Sequence, residues 1–428
     1  MKTPTVKKIS ILLALVLFLS PAALAKDENT FTLEKAQEWA RSNSPYLELT
    51  RLEHQAADYA AMAARRDYDD LDKDIWNIRY QIRRAAEDEG RASEKLGKIL
   101  DDNGDNPQDN PLYHLYRQEM ELAAQRAYLA ESSLDSIISA RREQRHVANL
   151  AEAQRVMTRL QVTDRELLLD RLVEEKFYSL LLLEEQHHHL EDTLFHLIHR
   201  QQQGERQIAL GLITPRDLIP LRAKTREVRQ LYEAVDTLRK LSRQELNLHL
   251  GRDPDAPLIL EGSFVPKPEE ELMAEEPPSV RETTAYRALT KQIEVWEKRL
   301  QDLSAEYSKG HPRYREAETM LEKLKLERSQ AQKTWEMASA SALNQIKEKL
   351  AALAVEETRL ENARTELELA KRKQQLGIVP GAEVREKELV LKEAQIRYNQ
   401  AVLDYNLAVT DVHLAQKGIL PLGQSSGE

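Results

Sequence analysis

The feature that most restricts this chain is an internal duplication. "SPYLELT" (Ser44 to Thr50) returns as "TAYRALT" (Thr284 to Thr290), sharing Tyr-x-x-Leu-Thr. "LGLITPRDL" (Leu210 to Leu218) returns as "LGIVPGAEV" (Leu376 to Val384). After each Gly/Pro island a helical stretch runs to another glycine: Gly211 to Gly251 is 40 residues and Gly377 to Gly418 is 41. Self-similarity on this scale marks one supersecondary unit stacked on its copy. The boundaries follow: a leader over 1–25, a first repeat over 26–252, a linker over 253–278, a second repeat over 279–420 and a tail over 421–428. Around the linker runs the Pro- and Glu-rich "PKPEEELMAEEPPS", and before that stretch lies "PLILEGSFV", the clearest strand-like segment after the leader.

Nearly everything else reads as helix. In the second copy Leu391, Tyr398, Tyr405 and Val412 are seven apart, and Ala394, Ala401, Ala408 and Ala415 follow each by three. In the first copy Leu231 and Leu238 pair with Ala234, Leu241 and Leu248. A seven-residue apolar repeat gives a left-handed, coiled-coil-like seam, and alanine lets backbones approach. An ordinary antiparallel bundle carries the same pattern. The islands read as reversals between antiparallel helices. Gly211 suits the left-handed position that ends a helix. Thr214 is an N-cap, Pro215 an N1 proline and Asp217 an acidic N3 residue. Gly377, Pro380 and Glu383 stand in similar places without a Ser, Thr, Asp or Asn cap, so the second reversal is expected to be looser.

Composition excludes several function classes. With 31% charged residues, 41% hydrophobic and five Phe, the chain suits long solvated amphipathic helices rather than one thick core. A net charge of −10 argues against a nucleic-acid partner. Lys7 and Lys8, the apolar run Ile9 to Leu19 and Ala23-Leu24-Ala25 form a secretory signal, an uncleaved anchor being the alternative. No cysteine occurs, so packing rather than disulfides must hold an exported chain together. No G-x-S-x-G, Walker loop, H-E-x-x-H or dinucleotide fingerprint is present, and the acidic residues have no converging partner. Neither an enzyme nor a cofactor is expected.

The duplicated helices, the tip glycines with an acid six residues later (Asp217, Glu383) and the heptad alanine helices resemble the TolC-type outer-membrane efflux family, over most of residues 30–420. The resemblance implies an all-α protomer of long antiparallel helices in a tandem duplicated α-barrel. It implies a homotrimeric conduit in the periplasm and at the outer membrane, docking a periplasmic adaptor protein linked to an inner-membrane pump. The docking residues would be Gly211, Leu212, Ile213, Thr214 and Asp217 at one tip, with Gly377, Ile378 and Val379 at the other. Glu383 and Glu386 occupy the family's entrance positions, where three copies would form an acidic ring favouring cations. Acids in a first turn also simply complement the helix dipole. The family's tip arginine and tyrosine are replaced by Val379 and Gln374, which puts its closed-state network in doubt.

A larger departure concerns the membrane. The family interrupts each repeat with two membrane-crossing strands. Here the corresponding segments are "DDNGDNPQDNPLY" (Asp101 to Tyr113) and "SKGHPRY" (Ser308 to Tyr314), polar turns unable to cross hydrocarbon. The strands are expected to be lost. In their place the first repeat is longer by nearly equal amounts on its rising and falling arms. That implies an extended helical hairpin over about 70–143, which at 1.5 Å per residue would project ~55 Å.

Two further clusters were weighed. His187, His188, His189, His196 and His199 lie close together, and His189, Asp192, His196 and His199 share a helical face. Imidazoles at such spacing can hold zinc or copper, but a solvated or interprotomer face is the commoner outcome, and no metal is expected. Trp39, Trp76, Trp296 and Trp335 read as packing residues. The reading that fits best is a passive efflux conduit subunit; the alternative is a structural coiled-coil protein of the envelope without a lumen.

Overall fold

A computed structural model describes residues 29–102, 110–268 and 280–419. Residues 1–28, 103–109, 269–279 and 420–428, where the expected signal, polar break, linker and tail fall, lie outside the described residues. The elements are β1 (Thr30–Phe31), α1 (Leu33–Asn43), α2 (Pro45–Asp102), α3 (Pro111–Ala209), a short 3-10 turn (Pro215–Leu218), α4 (Ile219–His249), β2 (Ile259–Leu260), α5 (Thr284–Ser304), α6 (Pro312–Gln375) and α7 (Gly381–Gln416). Their lengths follow from where proline is allowed. α2, α3 and α6 begin on proline and α4 carries it at its second residue, and none has a proline further in. A first-turn proline gives up a donor that has no intrahelical partner, so these helices start freely and then run unbroken. The chain is all-α, as expected. Among the described residues the strands are the two-residue pieces β1 and β2, paired in parallel as Thr30–Ile259 and Phe31–Leu260.

The described residues pack as two units, one drawn from the spans 1–50, 162–283 and 332–428, the other from 51–161 and 284–331. In the first, α3 runs antiparallel to α4 on one side and α7 on the other. Glu184–Arg243 and Glu205–Arg222 mark the first pairing, and Arg171–Asp411 and Asn399–Glu185 the second. One core gathers Phe31, Leu47, Leu169, Val173, Phe177, Leu180, Leu246 and Leu250. A second joins α6 and α7 through Ala342, Ile346, Leu353, Val402, Tyr405 and Val409. Fully burying each such side chain contributes roughly 1.5–3 kcal/mol before entropy is counted.

The heptads have different fates. In α7 the alanine row Ala394, Ala401, Ala408 and Ala415 is buried with Tyr405 and Val412, as a seam requires. In α4 Leu231, Leu238, Leu241 and Leu248 are each about half exposed. The covered face of α4 is Thr225, Val228, Leu246 and Asn247 instead, continued by Leu250 at its C-cap. The expected first-copy seam is therefore not closed within the chain. Sequence period marks an apolar row but not what covers it.

The extended segment after β2 is tied down to this unit. Asn406 donates to the Val265 carbonyl at 2.9 Å and accepts from the Lys267 amide at 2.8 Å. The Lys267 ammonium reaches Glu174 and Thr410, both at 2.6 Å, and the Thr410 hydroxyl also donates to Glu174. The carboxylate is almost fully buried, so this pairing is what makes its burial tolerable.

The second unit contains the hairpin of α2 and α3. Asp58–Arg155, Tyr68–Arg141 and Lys95–Tyr116 keep one antiparallel register. α5 and the start of α6 form a shorter hairpin around Leu303, Tyr314 and Ala317. Its turn joins helix to helix at Tyr307 and His311, whose rings stack at 4.1 Å. α5 is clamped to α3 by Arg299–Glu143 at 2.6 Å and by Arg142–Glu306 at 3.0 Å. Beside them Trp296 meets the His146 ring edge-on at 4.8 Å. Burial, then Arg299, holds His146 below its ordinary pKa.

Candidate functional site

The two Gly/Pro islands fold alike. Gly211 has φ +70° and Gly377 φ +68°. At the first, the Gly211 amide donates to the Ile208 carbonyl and the Leu212 amide to that of Gln207. At the second, Gly377 donates to Gln374 and Ile378 to Lys373. This paired closure satisfies the last carbonyls of a helix and needs a left-handed residue, which glycine supplies without strain. An added Cβ at either glycine would meet nothing within 4 Å, so the backbone angle rather than crowding demands glycine. The same closure ends each repeat at Gly251 (φ +70°) and Gly418 (φ +79°). There a Cβ would lie 2.0 Å from the Asn43 carbonyl oxygen and 2.7 Å from the Thr283 Cα respectively. Each repeat thus closes its end onto the backbone at its own start.

Three residues beyond each tip glycine the next helical segment starts, capped by Thr214 in one repeat and Pro380 in the other. The acid falls at the third helical position in both, Asp217 and Glu383. Asp217 accepts from the Thr214 amide at 2.7 Å and from its hydroxyl at 2.9 Å. Those donors, the amide first, hold Asp217 below its ordinary pKa. Pro380 offers no side-chain cap, and Gly381 stands where the first tip has Pro215.

On either side of each glycine the tips present apolar side chains to solvent. Leu210 and Leu376 are 73% and 75% exposed, Leu212 and Ile378 68% and 65%. Ile213 and Val379 are half-buried. The exposure is matched at matched positions: scattered exposed leucine is ordinary, a repeated pair is not. One turn into α7, Glu386 faces Arg200 at 3.9 Å, and Arg385 reaches Asp192 and Glu388.

The histidine face is organised differently from a ligand shell. Asp192 binds the Lys392 ammonium and Arg385, and Lys392 foremost holds its pKa low. His189 and His196 are kept below their ordinary pKa, chiefly by burial, and His199 contacts Gln203 at 3.1 Å. These four do not converge. Among the described residues the donors that do gather are His187, His188 and Glu191, within 4.8 Å of one another. His187 packs on Tyr232 with ring centroids 4.6 Å apart and faces Asp236, while His188 and Glu191 are largely exposed.

The Lys267–Glu174–Thr410 knot escaped sequence reading. Its one signal is the acid pair Glu174 and Glu175 inside the apolar run "LVEEKFYSLLLL".

No family model matches the chain, and no curated protein matches its sequence. Solved structures do resemble it. A membrane protein from Pseudomonas aeruginosa superposes with a TM-score of 0.53 at 14% identity, over 66% of this chain and 73% of that one. The outer-membrane channel OprN superposes with a TM-score of 0.51 at 13% identity, over 64% of this chain and 72% of that one. At such identity the likeness concerns architecture alone. The chain has the helical fold of the TolC-type outer-membrane channels.

Proposed function

We propose that this chain is the subunit of a homotrimeric efflux conduit of the cell envelope. It works passively, with energy supplied by an inner-membrane pump through a periplasmic adaptor. The observation that carries this reading is the pair of matching tips, each a glycine reversal offering two exposed apolar side chains beside an acidic first turn. Leu212, Ile213, Ile378 and Val379 are the adaptor contacts. Gly211 and Gly377 hold them in place, and Thr214 with Asp217 fixes the first tip. Glu383 and Glu386, repeated around a three-fold axis, form the acidic mouth. The open leucine row of α4 supports oligomerisation, because its duplicate in α7 is covered. The basic and apolar pattern of Lys7 to Leu19 supports an exported location.

Mass measurement and imaging of the purified full chain test the assembly; a trimer with a central hole is expected, and a solitary rod at every concentration would remove the conduit. Photo-crosslinkers at Leu212 and Ile378 in cells test docking. They are expected to capture one shared envelope protein, and Gly211→Trp is expected to abolish capture at Leu212 without loss of helicity. Undiminished capture by Gly211→Trp would move the docking site elsewhere.

A further inference from the structure

The hairpin of α2 and α3 extends past the short hairpin of α5 and carries surface that its own packing does not use. Its seam is made of Ala85, Ala92 and Ile99 on α2 against Ala123 and Ala130 on α3, all buried. Two other columns, each also on a seven-residue spacing, face outward. On α3 the column is Leu115, Leu122, Leu129 and Ser136, with the leucines between 45% and 60% exposed. On α2 it is Gly97, Gly90, Arg83 and Trp76, with Gly97 half-buried, Gly90 and Arg83 exposed and Trp76 67% exposed.

Neither column makes sense in an isolated hairpin. Leucine at heptad spacing is how one helix presents itself to another. Glycine is the poorest helix former after proline. An added Cβ at Gly90 or Gly97 would meet nothing within 4 Å, so packing within this chain gives no reason for either.

The register supplies the reason. Lys95 lies over the Tyr116 ring, Asp88 and Arg91 share a groove with Leu122, and Arg84 shares one with Leu129. Carried along the hairpin, that register sets Leu115 level with Gly97 and Leu122 level with Gly90. It sets Leu129 level with Arg83 and Ser136 level with Trp76. Large stands level with small at three of the four positions, and at the fourth leucine meets a long aliphatic stem. A rotation axis along the hairpin carries each copy sideways and keeps every level, so one copy's α3 column would meet the next copy's α2 column in matching order.

We infer that the α2–α3 hairpin is an interface between copies of this chain, the leucine column of one hairpin seating in the glycine column of the next. The contact is head-to-tail, and around the ring it builds a collar of paired helices. It rests on the oligomeric reading above but concerns a different part of the chain from the tips.

The absence of cysteine gives the test a clean background. Full-length Leu122→Cys and Gly90→Cys chains, carrying different tags, are co-expressed and oxidised. A disulfide joining the two tags is expected, and neither variant alone should dimerise. A Leu122→Cys dimer formed alone would mean two-fold pairing and would overturn the ring. As a second readout, Gly90→Leu should cut crosslinking between Leu115→Cys and Gly97→Cys at least tenfold with unchanged helical circular dichroism. A trimer by mass with no hairpin crosslink defeats this inference and spares the conduit. A monomer at all concentrations defeats both.

Discussion

At the scale of single residues, the four left-handed glycines separate two physical demands. At Gly211 and Gly377 only the backbone angle is at stake, so Gly211→Ala should cost about 1–2 kcal/mol. At Gly251 the same change adds a collision with the Asn43 carbonyl, and the loss should be clearly larger. Urea unfolding of the two variants side by side checks the order; equal losses would mean that the repeat end relaxes freely. The imidazoles make a second residue-scale prediction. Burial is the first cause that lowers the pKa of His146, His189 and His196. A depressed folded pKa means the stability is fully present above the unfolded value, about 6.5, and is lost as pH falls through the folded one. Thermal stability should therefore decline as pH falls below about 6.5, and His146→Phe should flatten part of that decline. The tips were legible in sequence because their grammar is local: a left-handed glycine, a cap three residues on and an acid at the third helical position all fall within nine letters. The histidine face was less so. Spacing put His189, Asp192, His196 and His199 on one side of a helix, but Lys392 and Arg385, some 200 positions away, had already engaged Asp192.

At the scale of elements, the long helices were legible and their neighbours only partly. Proline confined to first turns and heptad alanine predict helix whatever surrounds it. The strap from Gly262 to Lys267 was not legible, because its role depends on Glu174, Asn406 and Thr410, which only the tertiary fold brings together. Lys267→Met leaves the buried Glu174 carboxylate without its ammonium and should destabilise by ~2–3 kcal/mol. Adding Glu174→Gln should recover part of that loss, since an amide needs no counter-charge. Chemical unfolding of the single and double variants measures the coupling, and strict additivity would mean the knot contributes nothing as a pair.

At the scale of the whole molecule, the duplication turns an exposed surface into an argument. The turns that open and close α4 and α7 fold alike, yet the apolar row of α7 is covered and the row of α4 lies open. A folded monomer seldom leaves a seven-spaced leucine row to water. Leu231, Leu238, Leu241 and Leu248 are between 48% and 54% exposed, so covering all four would add roughly 3–5 kcal/mol per contact at the usual value of apolar burial. That is enough to matter in a ring, where each chain makes two such contacts, but small enough for one charge to undo. Leu238→Lys places an ammonium in the middle of the row, where an occupied interface would have to desolvate it. Within the chain the same lysine stays in water, so folding should be untouched. The expected result is a fall to monomer mass in analytical ultracentrifugation at micromolar concentration, with helical circular dichroism and melting of the isolated chain unchanged. Lys240→Leu, two residues away on an exposed, already charged position, is the control and should leave the assembly intact. If Leu238→Lys sediments as the parent does, the open row of α4 is not where the copies meet, and the asymmetry between the two repeats needs another cause.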